Sequence, residues 1–216
     1  VGSPDKAFYE FKTQEEGILK YNSLLTGCSL IRAKRNSMKD PDQAISRVNK
    51  IIAWLESTDF YTSPSSRYYH EAYPSGNLHH TLKVAMKTAD LEYIPSFSSV
   101  RPEDACLVAL VHDWCKIGLY EPTTRNVKNK ETGQWEQVPS YSYYEKPMTY
   151  LGHGVSSMWL AMKHFNLRYE ESLAIRFHMG EYNIAPNEMN ELHNANTYHP
   201  IVQLIQFADR LACVKY

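Results

Sequence analysis

Apolar residues recur every three to four positions along most of this 216-residue chain, and one stretch breaks that period. Ile45, Val48, Ile51, Ile52 and Leu55 form a single stripe behind Asp40-Pro41, an N-cap followed by a first-turn proline, which predicts a helix over 40–57. Leu78, Leu82, Ala85, Met86 and Ala89 predict another over 77–92. In "VRPEDACLVALVHDWC" a proline and two acids come early, and the apolar run Ala105, Leu107, Val108, Leu110 and Val111 then suits a deeply buried helix. Further helices are expected over 152–166, over 169–179 and in the closing "PIVQLIQFADRLACVKY". Between them, "RNVKN" and "QWEQVPSYSYY" flank the polar, glycine-ended turn "KETG", which predicts a β-hairpin or long loop at 120–146. The expected fold class is all-α, a helical bundle with a small β-hairpin insertion, in one domain spanning 1–216 with 1–60 as an N-terminal helical extension.

The length suits one well-buried domain, and no shift in composition suggests two. Lys plus Arg number 23 against 24 Asp plus Glu, with no basic run, so strong non-specific nucleic-acid binding is not expected. Apolar stretches are short and interrupted by charge, and the first residues lack a signal-peptide pattern. A soluble, cytoplasmic protein with no membrane partner is therefore expected. Cys28, Cys106, Cys115 and Cys213 are scattered without a CxxC pair, which fits reduced thiols better than disulfides or a zinc ribbon.

The histidines change the picture by where they fall. His80, the doublet His112-Asp113, His153, His178 and Asp209 are distributed over different predicted helices. Facing helices of a bundle can bring such side chains together in the core, which is how these folds build metal sites. Imidazole with carboxylate suits zinc, iron, manganese or nickel, and one carboxylate can bridge two ions. Six ligands exceed what a single catalytic ion with an open position takes, so two ions are the natural count.

In this order, His80, His112-Asp113 and Asp209 in "FADRLA" resemble the H, HD, D signature of the HD superfamily of metal-dependent phosphohydrolases. His153 in "LGHG" and His178 in "RFHMGEY" are similar to the two further histidines of its dinuclear members. The resemblance runs from about Tyr69 to Cys213. "YHEAYPSGNLHHTLKVA", followed much later by "YLGHGVSSM", looks most like the catalytic module of bacterial HD-domain 3′-to-5′ exoribonucleases, although residues 1–39 are too short for a separate OB domain.

The resemblance implies an HD-type bundle with one ion on His80, His112, Asp113 and Asp209, and a second on His153, His178 and the bridging Asp113. His79 and His80 face about 100° apart on a helix. The family spacing of histidine, any residue, leucine, any residue, valine, alanine fits "HTLKVA" from His80. Lys116 takes the usual lysine place after the doublet and would point to phosphate, while Cys115 stands where the family commonly has glycine.

The implied activity is that of a dinuclear phosphohydrolase or phosphodiesterase. Two divalent ions (Mn, Fe, Ni or Zn) would activate a water against phosphoester bonds of nucleotides or short oligonucleotides. Asp113, Lys116 and His70 are the candidate catalytic residues. Arg67, Lys116 and His70 are the candidates for substrate phosphate, and His70 could also protonate the leaving oxygen. The plainer alternatives are a satisfied His70, a solvated Lys116, and Arg210 as an ion-pair partner of Asp209. Trp135, Tyr141, Tyr143 and Tyr144 read either as strand packing or as a pocket wall that selects substrate. Two other classes share the pattern: a diiron oxygenase such as inositol oxygenase, acting on a small molecule, and a non-catalytic metal- or nucleotide-binding module.

Overall fold

Eight α-helices and one two-stranded sheet make up the computed structural model, which describes residues 11–36 and 40–214. The expected N-terminal extension is helical where it is described, and its first ten residues lie outside the described residues. Helix α1 (Gln14–Arg35) starts where the Thr13 side chain accepts a hydrogen bond from the Glu16 N–H, and α2 (Pro41–Glu56) starts on Asp40, whose carboxylate accepts from Asp42 and Gln43. There follow α3 (Gly76–Leu91), α4 (Pro102–Val111), a 3₁₀ turn at Trp114–Lys116, α5 (His153–His164), α6 (Tyr169–Arg176), α7 (Met189–Tyr198) and α8 (Pro200–Ala212).

The predicted helices are present, with three differences at their ends. Helix α4 stops at Val111 rather than carrying the doublet in its last turn, α6 stops at Arg176 before His178, and α8 stops at Ala212. Helix α7 was not expected. Its sequence, "MNELHNANTY", is rich in asparagine and buries only Leu192 and Ala195, so it carries little periodicity of its own.

The insertion at 120–146 is a hairpin. Strand β1 (Tyr120–Lys128) pairs antiparallel with β2 (Trp135–Tyr143), in register from Tyr120 opposite Tyr143 to Lys128 opposite Trp135. Asn129 shapes the turn, its side-chain oxygen accepting from the Glu131 and Thr132 N–H groups, and Gly133 supplies the positive φ of 71°. Most of the hairpin is exposed; Tyr120 at its base enters the core, and Ser140 of β2 is buried as well.

Helix α4 is the centre of the bundle. Leu107, Val108, Ala109, Leu110 and Val111 are all fully buried, because α1, α3, α5, α6 and α8 pack around it. Tyr21 and Leu25 of α1 and Val48 and Leu55 of α2 belong to the same core cluster, so the N-terminal helices pack on the bundle that carries the histidines. A buried charge network ties three of these helices: Arg32 of α1 pairs with Asp104 of α4 and Glu171 of α6, and Arg35 and Arg168 also reach Asp104. Such charges tolerate burial only when each is paired. Among the described residues no helix is long and apolar enough to cross a membrane.

Candidate metal centre

The break at the end of α4 creates the centre. The Tyr21 hydroxyl donates to the Leu110 carbonyl at 2.9 Å and accepts from the Trp114 ring N–H at 3.1 Å, clamping both sides of the break. Between these anchors the chain leaves α-helical geometry, and His112 and Asp113 turn into the interior, 0% and 4% exposed.

All six sequence candidates converge there, in two groups on the two oxygens of one carboxylate. Asp113 Oδ2 lies 3.7 Å from Nε2 of both His80 and His112, and Asp209 Oδ1 lies 2.9 Å from His80 Nε2 and 3.9 Å from His112 Nε2. The other oxygen, Asp113 Oδ1, is 2.8 Å from His153 Nε2 and 3.6 Å from His178 Nε2. Within each group the histidines meet nitrogen to nitrogen, His80 with His112 at 3.4 Å and His153 with His178 at 3.0 Å.

Two glycines allow this approach. A Cβ on Gly154 would sit 1.9 Å from the Arg176 carbonyl oxygen, so only glycine lets the start of α5, which carries His153, press against the end of α6 just before His178. At the other group, Gly76 opens α3 one turn before His80, and a Cβ there would meet the Glu71 carbonyl oxygen at 1.9 Å.

The donor set fits metal ions. His112 Nδ1 donates to the Ala109 carbonyl at 2.7 Å and His178 Nδ1 to the Ile175 carbonyl at 2.6 Å. Each bond fixes the proton on Nδ1 in the neutral ring and leaves the Nε2 lone pair facing the other donors, the orientation metal-ligating histidines share. Burial pushes the pKa of His112 down to about 4 and, reinforced by the Lys116 charge, that of His153 to about 4, which keeps both rings neutral. For His80 and His178 burial acts in the same direction but is outweighed, by Asp209 and by Asp113 respectively, and both pKa values rise. Against burial, Lys116 and the surrounding histidines hold Asp113 well below the usual carboxylate range, and His80 does the same for Asp209.

The remaining candidates divide. Lys116 is only 7% exposed, and the Asp113 charge offsets its burial and raises its pKa, so it stays a buried cation. The His70 ring is 4.8 Å from that of His80, beside the first group. Arg67 stands apart from the donors, its guanidinium 4.4 Å over the Tyr143 ring and 4.7 Å over the Tyr68 ring. The expected pairing of Arg210 with Asp209 is not found among the described residues: Arg210 is exposed and Asp209 turns to His80. His79, as expected, faces away, with its Nδ1 2.7 Å from the Tyr73 hydroxyl.

Three residues at the centre were given no ligand or positioning role by sequence. Cys115 Sγ lies 3.3 Å from His153 Nδ1, and burial pushes its thiol pKa up to about 12. Cys213 offers its sulfur within 4.8 Å of donor atoms of His70 and His80. Glu71 aims a carboxylate oxygen at His80 Nδ1, 3.9 Å away. Neither cysteine stands in a ligand motif, and Glu71 lies in a loop whose path the hydrophobic pattern does not encode.

Compared with protein-family models, with curated proteins and with solved structures, the chain matches none of them.

Proposed function

We propose that this chain is a dinuclear metal-dependent phosphohydrolase of the HD type, hydrolysing phosphoester bonds of nucleotides or short oligonucleotides. One observation carries the proposal: a single buried carboxylate, Asp113, turns one oxygen to His80 and His112 and the other to His153 and His178. Asp209 completes the first group. Two divalent cations bound by these groups would supply Lewis acidity, lowering the pKa of water in the pocket and offsetting charge on a phosphoryl oxygen.

The chain's own residues supply the rest. Lys116, held as a buried cation beside Asp113, provides a fixed positive charge for a phosphoryl oxygen. A cation at that place favours an anionic substrate, and so hydrolysis over the oxygenase chemistry that a similar ligand set could serve. His70 stands beside the first group, where its ring can hold or pass a proton at the edge of the pocket. Asp113 and Asp209 together offer two negative charges to the bound cations, and the neutral His112 and His153 offer lone pairs without competing protons.

The test is hydrolysis of bis(p-nitrophenyl) phosphate by metal-stripped protein refilled with Mn²⁺, Fe²⁺, Ni²⁺ or Zn²⁺, beside Asp113→Ala. Turnover that requires both metal and Asp113 is expected. Absence of turnover in a protein holding two irons whose spectrum responds to oxygen would replace this proposal with the oxygenase.

A further inference from the structure

The four histidines of the centre differ in what holds the nitrogen facing away from it. His112 and His178 spend Nδ1 on backbone carbonyls, and His153 Nδ1 faces Cys115. His80 Nδ1 is buried without a hydrogen-bond partner. The nearest carboxylate oxygen, Glu71 Oε2, is 3.9 Å away and equally buried and unpartnered.

Glu71 is held in this place by unusual means. Its backbone adopts φ 42°, a left-handed conformation that side-chain-bearing residues rarely take. Its carbonyl accepts from the Ser65 N–H, and it lies so close to α3 that Gly76 has no room for a Cβ. Its other carboxylate oxygen, Oε1, is taken by Lys83 of α3. A strained residue at a candidate site, pinned by one oxygen with the second aimed at a ring nitrogen, is an arrangement packing alone does not require.

We infer that Glu71 is the positioning residue of His80. Its Oε2 accepts the Nδ1–H of the ring, fixing the ring plane and directing Nε2 at Asp113 and Asp209. The gap exceeds an ordinary N–H···O distance by about 1 Å, within reach of a small rotation of either side chain. A carboxylate behind a ligating histidine also makes the ring a stronger donor. That Nε2 serves a metal rests on the function proposed above; the pairing of Glu71 with His80 does not.

The experiment combines calorimetric Mn²⁺ titration of the parent chain, Glu71→Gln and Lys83→Ala with nitrogen-15 NMR of the His80 ring. Glutamine keeps the volume but has one oxygen for two donors. Glu71→Gln is therefore expected to weaken Mn²⁺ binding at one site by about 10- to 100-fold and to remove a hydrogen-bonded Nδ1 proton seen in the parent. Lys83→Ala loosens the carboxylate but leaves Oε2 opposite His80, so it is expected to weaken binding less than Glu71→Gln and to keep a bonded Nδ1 proton. Unaltered binding in Glu71→Gln, or a bonded Nδ1 proton that persists in Glu71→Gln, overturns the assignment by reducing Glu71 to a packing anchor. A parent chain that binds no Mn²⁺ sinks the metal proposal instead; the NMR signal then decides alone, and a parent His80 without a bonded Nδ1 proton overturns the role of Glu71.

Discussion

His153 Nε2 sits 2.8 Å from Asp113 Oδ1, on the opposite oxygen of the carboxylate from the one His80 and His112 face. One carboxylate thus serves two donor groups, drawn from α3, the end of α4 and α8 on one side and from α5 and the turn after α6 on the other, which also meet where the His112 and His178 rings lie edge to face, 5.0 Å between centroids. The geometry makes the two groups unequal in their dependence on any one residue.

Removing Asp113 is expected to affect both groups, while removing His153 affects one. Asp113→Ala should lower the metal content measured by atomic emission from two ions per chain to none, with turnover lost, whereas His153→Ala should retain one. A folded Asp113→Ala protein that still holds two ions, or still turns over, would show that the carboxylate does not bridge.

Gly154→Ala tests whether α5 must press on α6 to assemble the second group. The added Cβ has backbone 1.9 Å away, so the helices must separate. Overpacking of this kind costs about 1–3 kcal/mol, a fall of several degrees in thermal midpoint. Metal at the His153–His178 group should be lost while the His80–His112 group keeps its ion. An unshifted midpoint would mean that the helix ends adjust freely.

Much of this was legible in the sequence, for identifiable reasons. Asp40, Pro41 and the stripe through Val48, Ile51 and Leu55 encode α2 locally, and the glycine-ended polar turn encodes the hairpin. The spacing of His80, His112-Asp113, His153, His178 and Asp209 survives as proximity because each lies at an inward position of its helix or just past its end. The break after Val111 was not legible. It depends on Tyr21, 89 residues from Leu110, and periodicity carries no information about such a contact. Glu71 was missed for the same reason: its role comes from a left-handed backbone against Gly76, with no local pattern to announce it.

Tyr21→Phe removes that clamp and little else. The Trp114 ring N–H and the Leu110 carbonyl, both in the buried core, lose their shared partner. A cost of about 1–3 kcal/mol is expected from the unsatisfied groups, read as a lower urea midpoint with unchanged slope. Because the clamp flanks His112-Asp113, metal affinity should fall as well. A variant as stable as its parent would show that the break holds itself.

Asp104 gives the fold an acid-sensitive contribution to stability. Burial raises its pKa, but Arg35, Arg32 and Arg168 lower it further, and the net shift is down. A carboxylate with a depressed folded pKa contributes stability that is fully present above its unfolded value of about 3.9 and is lost as pH falls through the folded value. Asp104→Asn should therefore destabilise strongly at neutral pH, by about 3–5 kcal/mol for a broken buried network, and progressively less in acid. A stability difference independent of pH between about 7 and 3 would contradict this.

Metal binding should release protons, and only some of the histidines should supply them. His112 and His153, both near 4, are neutral throughout the physiological range and have nothing to lose. His80 and His178 are raised above the ordinary histidine value by Asp209 and Asp113, so in the metal-free chain they hold protons that a cation must displace. Below their pKa values each binding event then expels protons, and apparent affinity falls as pH is lowered. Calorimetry of Mn²⁺ binding in buffers of different ionisation enthalpy should show proton release growing as pH falls towards the ordinary histidine value of about 6.5, and His178→Ala should reduce it at the second group. Release that stays at zero there would mean the cation does not displace protons from these two rings.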